Sequence, residues 1–100
     1  MIRGTTPTHK FNCGVDLSEA AVVYVTYAQN RATVIEKSLE DGLTVDGSTI
    51  TLKMSQTDTL KLSPSYSVYI QIRARFEDGS AYATKQIKRE VEDILKDGEI

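Results

Sequence analysis

The chain has 100 residues, 40% of them hydrophobic and 26% charged, and a formal net charge of −2. This length predicts one domain with a single core, and the composition excludes wholesale disorder. The weak negative charge argues against nucleic acid as a partner, and no stretch has the roughly 20 apolar residues that cross a bilayer, so no membrane partner is expected. The only cysteine, Cys13, excludes an internal disulfide, which suits a reducing cytoplasm.

The first residues are polar and lack the apolar run of a signal peptide. Met1–Pro7 is rich in threonine and is stiffened at Pro7, so we predict an extended arm that lies across a neighbouring chain rather than on its own domain. Thr8–Val15 is predicted to form the first strand because its apolar residues alternate with polar ones. Those apolar residues are Phe11, Cys13 and Val15.

A turn at Asp16–Glu19, with Leu17 covering one end of the core, leads into Ala20–Ala28. The β-branched and aromatic residues of this segment are typical of a central strand. One face carries Val23, Val25 and Tyr27, and the other carries Val22, Tyr24 and Thr26. Because both faces are apolar, we expect a second layer or a partner to cover the second face. The arm and this second face together give the predicted partner-binding residues, which are Thr5, Thr6, Pro7, Val22, Tyr24 and Thr26.

The middle of the chain indicates two further strands between turns. Ala32–Leu39 follows a turn at Gln29–Arg31 and is closed by Glu40–Gly42. After an Asp-Gly turn, Thr49–Met54 alternates again, with Ile50, Leu52 and Met54 expected to point inward. Ser55–Leu60 carries helix-capping chemistry and is predicted to form a short turn across an end of the fold.

The clearest strand is Val68–Phe76, which follows a break at Ser63–Ser65. Strict alternation of apolar and polar residues predicts one dry face, including Ile70 and Ile72, and one wet face. Asp78-Gly79 then predicts a tight hairpin with Gly79 at positive φ. Residues 80–95 fit both a strand and a helix, and the hairpin favours a strand over Ser80–Arg89. The tail, Lys96–Ile100, is expected to be mobile.

Short strands at roughly ten-residue spacing predict an all-β, antiparallel fold of about seven strands, either a sandwich or a small barrel. Few residues offer chemistry. His9, the only histidine, has no orienting carboxylate nearby in the sequence, so we expect a solvated side chain rather than a catalytic base. Cys13 alternates with apolar residues and is predicted to be a small core residue rather than a nucleophile.

Metal and cofactor sites are not expected either. One cysteine and one histidine cannot form a zinc site of the usual spacing, and each acidic pair adjoins a turn glycine or a charged run. We therefore predict no catalytic residue, no metal and no cofactor, and hence a protein that is not an enzyme.

A basic strip is the remaining candidate surface. Its predicted members, on one exposed hairpin face, are Arg73, Arg75, Lys85, Lys88 and Arg89, with Tyr69 and Tyr82 nearby. Such a strip suits polyanions or single-stranded nucleic acid, or an acidic protein neighbour. The favoured interpretation is a solvated face whose charges keep an edge strand from pairing wrongly.

Several motifs together resemble a known group of proteins. Gly4–Phe11 reads Gly-Thr-Thr-Pro-Thr-His-Lys-Phe, and the following apolar strand ends at Thr26–Gln29 as Thr-Tyr-Ala-Gln. Further shared motifs are Met54–Leu60, Gln71–Arg73, Asp78-Gly79 and Leu95–Gly98. Along nearly its whole length the chain resembles small proteins encoded among virion structural genes in prophages of Gram-positive anaerobes.

This resemblance implies an immunoglobulin-like β-sandwich, akin to the first domain of phage baseplate upper proteins, with a structural role. We expect a phage or prophage virion-associated structural or assembly protein whose partners are other phage structural proteins and further copies of itself. It would lie in the host cytoplasm during assembly and then in the virion. The alternative is a free-standing binding module for cell-surface carbohydrate or polyanion, which an exposed platform of Tyr24, Tyr66 and Tyr69 would favour.

Overall fold

The computed structural model describes every residue from Met1 to Ile100 and contains eight strands and one short helix. In chain order these are β1 (Thr8–Asn12), β2 (Ala20–Gln29), β3 (Ala32–Ser38), β4 (Leu43–Asp46), β5 (Thr49–Lys53), α1 (Gln56–Leu60), β6 (Val68–Phe76), β7 (Ala81–Ala83) and β8 (Ile87–Arg89). No helix is long and apolar enough to cross a membrane.

The strands form two antiparallel sheets that share one core. The smaller sheet has the order β1-β5-β4, and the larger has the order β3-β2-β6, with β7 and β8 both paired to the other side of β6. The predicted all-β antiparallel sandwich is thus confirmed. The structure has eight strands where about seven were expected: the six segments predicted as strands are present, Leu43–Asp46 is an additional strand paired with β5, and the last predicted strand is divided in two.

Alternation along the strands determines the core, as the sequence predicts. Ile70 and Ile72 are 3% and 0% exposed, and Leu17, in the turn that precedes β2, is buried. The inward residues of β2 and of the β5 segment are buried as well. They are Val23, Val25, Tyr27, Ile50, Leu52 and Met54.

The segment after β6 is a strand, but a β-bulge divides it. Arg73 pairs with Ala83, whereas Ile70 pairs with Ile87, so the partner strand gains one residue between these positions. At the break, the Thr84 N–H donates to the Ile72 carbonyl at 3.0 Å, and the Thr84 hydroxyl accepts from the Ile72 N–H at 3.1 Å. The Thr84 hydroxyl thus takes the place of the backbone carbonyl that would accept from the Ile72 N–H in a regular ladder.

The turns and the short helix follow their local signals. Gly79 has φ +87° and closes a hairpin in which the Phe76 N–H donates to the Ser80 carbonyl at 2.9 Å. Ser55 and Asp58 form a reciprocal capping box at the start of α1. Lys37 of β3 also reaches the Asp58 carboxylate at 3.0 Å. Burial opposes ionisation of Asp58, but the bonds from Ser55 and Lys37 hold its pKa below the usual value.

The N-terminal arm lies on its own domain, so the prediction that it lies across a neighbouring chain is wrong. The Arg3 N–H donates to the Glu92 carbonyl at 3.1 Å, and the Glu92 N–H donates to the Met1 carbonyl at 2.8 Å. Further along, the Thr59 hydroxyl donates to the Thr5 carbonyl at 2.8 Å.

The arm lies on its own domain because carbonyls at and just after the end of α1 have no partner within the helix and are free to accept hydrogen bonds. The Arg3 side chain donates to the carbonyls of Leu60 and Leu62 at 3.1 and 3.2 Å. The same guanidinium pairs with Asp97 at 2.9 Å, which ties the tail to the arm and holds the pKa of Asp97 below its usual value. The sequence alone does not indicate which carbonyls the Arg3 side chain binds, so it does not predict where the arm lies.

Candidate binding grooves

Two open grooves lie on opposite faces of the larger sheet. The first, here the inter-sheet groove, separates β1 from β7 and β8 and has a volume of about 800 Å³. Its apolar lining includes Phe11, Cys13, Ile70, Ile72, Tyr82 and Ile87, and its exposed cations are Lys10, Lys85 and Arg89. The sandwich is therefore open along this side.

The outer edge of β1 has unpaired backbone groups. The Cys13 N–H donates to the Ser48 carbonyl at 2.8 Å, and the Met54 N–H donates to the Pro7 carbonyl at 2.9 Å. In an antiparallel ladder these bonds recur at every second residue, so the odd-numbered residues of β1 bond to β5. Thr8, Lys10 and Asn12 consequently direct their N–H and C=O groups away from β5.

His9 lies against the core, so the prediction of a solvated histidine is wrong. Its Nδ1 lies 2.6 Å from the Tyr27 hydroxyl, and the two rings stack with centroids 5.8 Å apart. Burial lowers the pKa of His9, and the charge of Arg89 acts in the same direction. Burial also raises the pKa of Tyr27. The available signal was position: His9 precedes Phe11 by two residues and shares its inward face.

Cys13 is half-buried and packs against the core, as predicted, and burial raises the pKa of its thiol. Its carbonyl accepts a hydrogen bond of 2.6 Å from the Tyr82 hydroxyl. Because Tyr82 belongs to β7, this bond joins the two sheets across one end of the inter-sheet groove.

The predicted basic strip is divided between the two faces of the larger sheet. Directly paired residues share a face, so Lys88 lies on the outer face with Tyr69, and Arg89 lies on the inner face with Val68. Tyr82 pairs with the buried Ala74 and is likewise on the inner face. Arg73 and Arg75 stay on the outer face, while Lys85 lines the inter-sheet groove. The prediction of one shared face is therefore wrong.

The second groove, here the outer groove, lies on the face of the larger sheet that points away from the smaller sheet, and its volume is about 830 Å³. Tyr66 and Tyr69 line it and are 48% and 41% exposed. Tyr24 is 42% exposed and lies on the same face but lines a separate, smaller pocket. The tyrosine platform considered from the sequence is thus formed by two of its three residues.

Gln29, which the sequence indicates only as part of a turn, positions the loop that carries Tyr66. Its side-chain amide donates to the carbonyls of Ser63 and Tyr66 at 2.7 and 3.0 Å and accepts from the Ser63 N–H at 2.8 Å. It is buried at the end of β2. The next two residues, Asn30 and Arg31, form the turn to β3 with φ of +50° and +63°.

The predicted partner-binding residues do not form one surface. Thr5 and Pro7 line one end of the inter-sheet groove, while Thr6 is exposed beside Lys53. The other three lie on the outer face of β2, on the far side of the larger sheet. They are the half-buried Val22 and Thr26 and the exposed Tyr24.

No three His, Cys, Asp or Glu side chains are grouped in a way that could hold a metal ion. Comparison with protein-family models, with curated proteins and with solved structures gave no match.

Proposed function

We propose that this protein is a non-catalytic, virion-associated structural or assembly protein of a phage or prophage, which acts through protein–protein contacts. The motifs shared with proteins encoded among prophage virion genes support this setting, and the same proposal includes an immunoglobulin-like form of the sandwich. The observation that carries the contact role is the unpaired edge of β1 beside the inter-sheet groove.

The contact is the addition of a partner's extended strand to this edge. Thr8, Lys10 and Asn12 offer backbone donors and acceptors to such a strand, which gives affinity without a dedicated pocket. Alternate side chains of the partner would then face the apolar lining of the groove. The exposed cations Lys10, Lys85 and Arg89 favour a partner strand that carries acidic residues.

The chain thus accepts a strand rather than donating one. Its own arm is held by Arg3 and contributes Thr5 and Pro7 to one end of the groove. The partner is an extended acidic segment of a phage structural protein, or of a second copy of this chain.

Co-purification with the tail-region proteins encoded beside the gene, followed by light scattering, tests the proposal. Lys10→Pro removes an outward N–H without removing a bond to β5, so it should weaken association at least about tenfold and change the melting temperature little. Lys10→Ala keeps the N–H and should retain most of the association. A stable complex that is indifferent to Lys10→Pro, or a protein that stays monomeric and binds no tail-region protein, would refute the proposal.

A further inference from the structure

The outer groove combines positive charge, exposed aromatic rings and a neutral polar lining. From this combination we infer that it binds an acidic saccharide, a chain of sugar rings bearing carboxylate, sulfate or phosphate groups. This goes beyond the proposed function, since the groove lies on the opposite face of the larger sheet from the inter-sheet groove and shares none of its lining residues.

The positive charge of the groove is unpaired. All three ion pairs of the molecule lie elsewhere and involve Arg3 or Lys37, so the guanidinium groups of Arg31 and Arg73 face no carboxylate partner. No acidic residue lines the groove, although Glu36 lies on the same face beside Thr26. A planar guanidinium binds a carboxylate, sulfate or phosphate group through two parallel hydrogen bonds.

Another acidic side chain lies at the margin: Glu90 accepts a hydrogen bond of 2.9 Å from the Ser67 hydroxyl. On the cationic side, Lys88 pairs with Tyr69 and shares the outer face. The negative groups are thus at the borders, while the arginines are among the lining residues.

The remaining lining suits sugar rings. The exposed rings of Tyr66 and Tyr69 offer apolar faces, and their hydroxyls make no hydrogen bond within the protein. Besides the two tyrosines, seven of the twelve lining residues carry neutral hydroxyl or amide groups, which can donate to and accept from a polyhydroxylated ligand. They include Asn30, Thr33, Gln71 and Gln86.

Arg31 occupies a backbone position that disfavours it. The two-residue turn between β2 and β3 has positive φ at both residues, and glycine is the usual second residue of such a turn because an L side chain is strained there. The sequence has arginine instead, and that arginine lines the groove. Strain of this kind is typically found where a side chain serves binding.

A single-stranded nucleic acid would also contact aromatic rings and cations, but it is the less suited occupant. Its phosphates recur at every nucleotide, and the groove has only two lining cations within a chain of net charge −2. Neutral hydroxyl and amide groups are the most numerous lining groups, which favours hydroxyl-rich rings with fewer charges.

Calorimetric titration of the full chain against defined oligomers tests the inference. The probes are a sulfated heparin hexasaccharide, an oligouronate hexasaccharide, a phosphorylated hexasaccharide, neutral maltohexaose and hexathymidylate. At least one acidic hexasaccharide should bind at least tenfold more tightly than maltohexaose and hexathymidylate. No binding by any acidic hexasaccharide at millimolar concentration, or equal or tighter binding by either comparison probe, would overturn the inference.

Arg31→Gly separates binding from folding. It should weaken binding of the best acidic probe at least tenfold while raising the melting temperature by a few degrees, because glycine relieves the strained φ. Arg75→Gln is the matched control: it removes a cation from the same face outside the groove and should change binding less than twofold. Equal losses in the two variants, unchanged binding in Arg31→Gly, or a lower melting temperature in Arg31→Gly would each contradict the assignment.

Discussion

The two faces of the larger sheet are built from the same strands but differ in what their residues contribute. Along β6, Ile70 and Ile72 point into the core and are almost fully buried, whereas Tyr69 and Arg73 point outward and are exposed. Burial makes the inner residues important for stability, while the outer residues retain free hydrogen-bonding and aromatic groups. Along β6, the residues that stabilise the fold and the residues of the inferred saccharide groove therefore lie on opposite faces, so a substitution can alter stability or saccharide binding with little effect on the other.

The largest expected difference lies between two adjacent residues. Ile72→Ala should lower the free energy of unfolding by about 2–5 kcal/mol, because it removes buried surface and leaves a cavity. Arg73→Ala should change it by about 0.5 kcal/mol or less, because the side chain is exposed and unpaired. Urea denaturation of both variants provides the measurement. Comparable losses in the two variants would show that the faces do not differ in this way.

Gln29→Ala should have the next largest effect on stability. It should affect both faces of the sheet, because Gln29 is on the inner face but positions a loop of the outer groove. The substitution leaves backbone groups of Ser63 and Tyr66 without their partners and should cost about 2–3 kcal/mol. Binding of an acidic hexasaccharide should also weaken, because Tyr66 loses its support. Gln86→Ala, at an exposed position of the same groove, is the control for stability and should leave the melting temperature nearly unchanged.

Gly79→Val tests the hairpin at the other end of the sheet. Apart from the two chain neighbours, no atom lies within 4 Å of a Cβ added at Gly79, so we expect the loss of stability to come from its φ of +87°. We expect a loss of about 1–2 kcal/mol in thermal or urea unfolding. Gly79→Asn should lose less, because asparagine tolerates this region better. Equal stability of the valine variant and the parent chain would contradict the assigned turn.

The smallest expected effect is a pH dependence due to His9. Its pKa is lower in the folded chain than its ordinary value of 6.5, so the unfolded state takes up the proton first as the pH falls. The stability that depends on neutral His9 is fully present above the ordinary pKa of 6.5, and it is lost as the pH falls from there through the lower pKa of the folded chain. His9→Gln keeps a hydrogen-bonding partner for Tyr27 and should flatten the fall in melting temperature between about pH 7 and about pH 5.

The carboxylates with lowered pKa, such as Asp58 and Asp97, act in a more acidic range, below their ordinary value of 3.8. A parent chain and a His9→Gln variant with the same pH profile would show that His9 is not responsible.

The sequence predicted those parts of the fold that depend on neighbours close in the chain. Alternation identifies β6 from Val68 to Phe76, as in the structure, and Asp78-Gly79 identifies the hairpin that follows, because both signals are local. The prediction for the arm is wrong because the position of the arm depends on the carbonyls of Leu60 and Leu62, which lie 57 and 59 residues from Arg3. No local sequence pattern predicts hydrogen bonds between residues so far apart in the chain.

The grooves show the same limit. The sequence indicated basic residues near tyrosines, but strand register decides which of them share a face, and the bulge after Thr84 places Lys88 outward and Arg89 inward. The sequence indicates Gln29 only as part of a turn, because its three hydrogen bonds reach a loop more than 30 residues away. That Arg31 and Tyr66 line the same groove is likewise apparent only from the tertiary structure.

The bulge at Thr84 also has a consequence for stoichiometry. A long, straight strand edge can recruit copy after copy and grow into a fibre, whereas a bulge interrupts the regular spacing of backbone groups that such growth needs. The β7–β8 edge is interrupted in this way, and it faces the straight edge of β1 across the inter-sheet groove. A strand added at β1 would meet no second regular ladder, so recruitment would end after one strand. Assembly through this groove should therefore be finite, with a defined number of subunits.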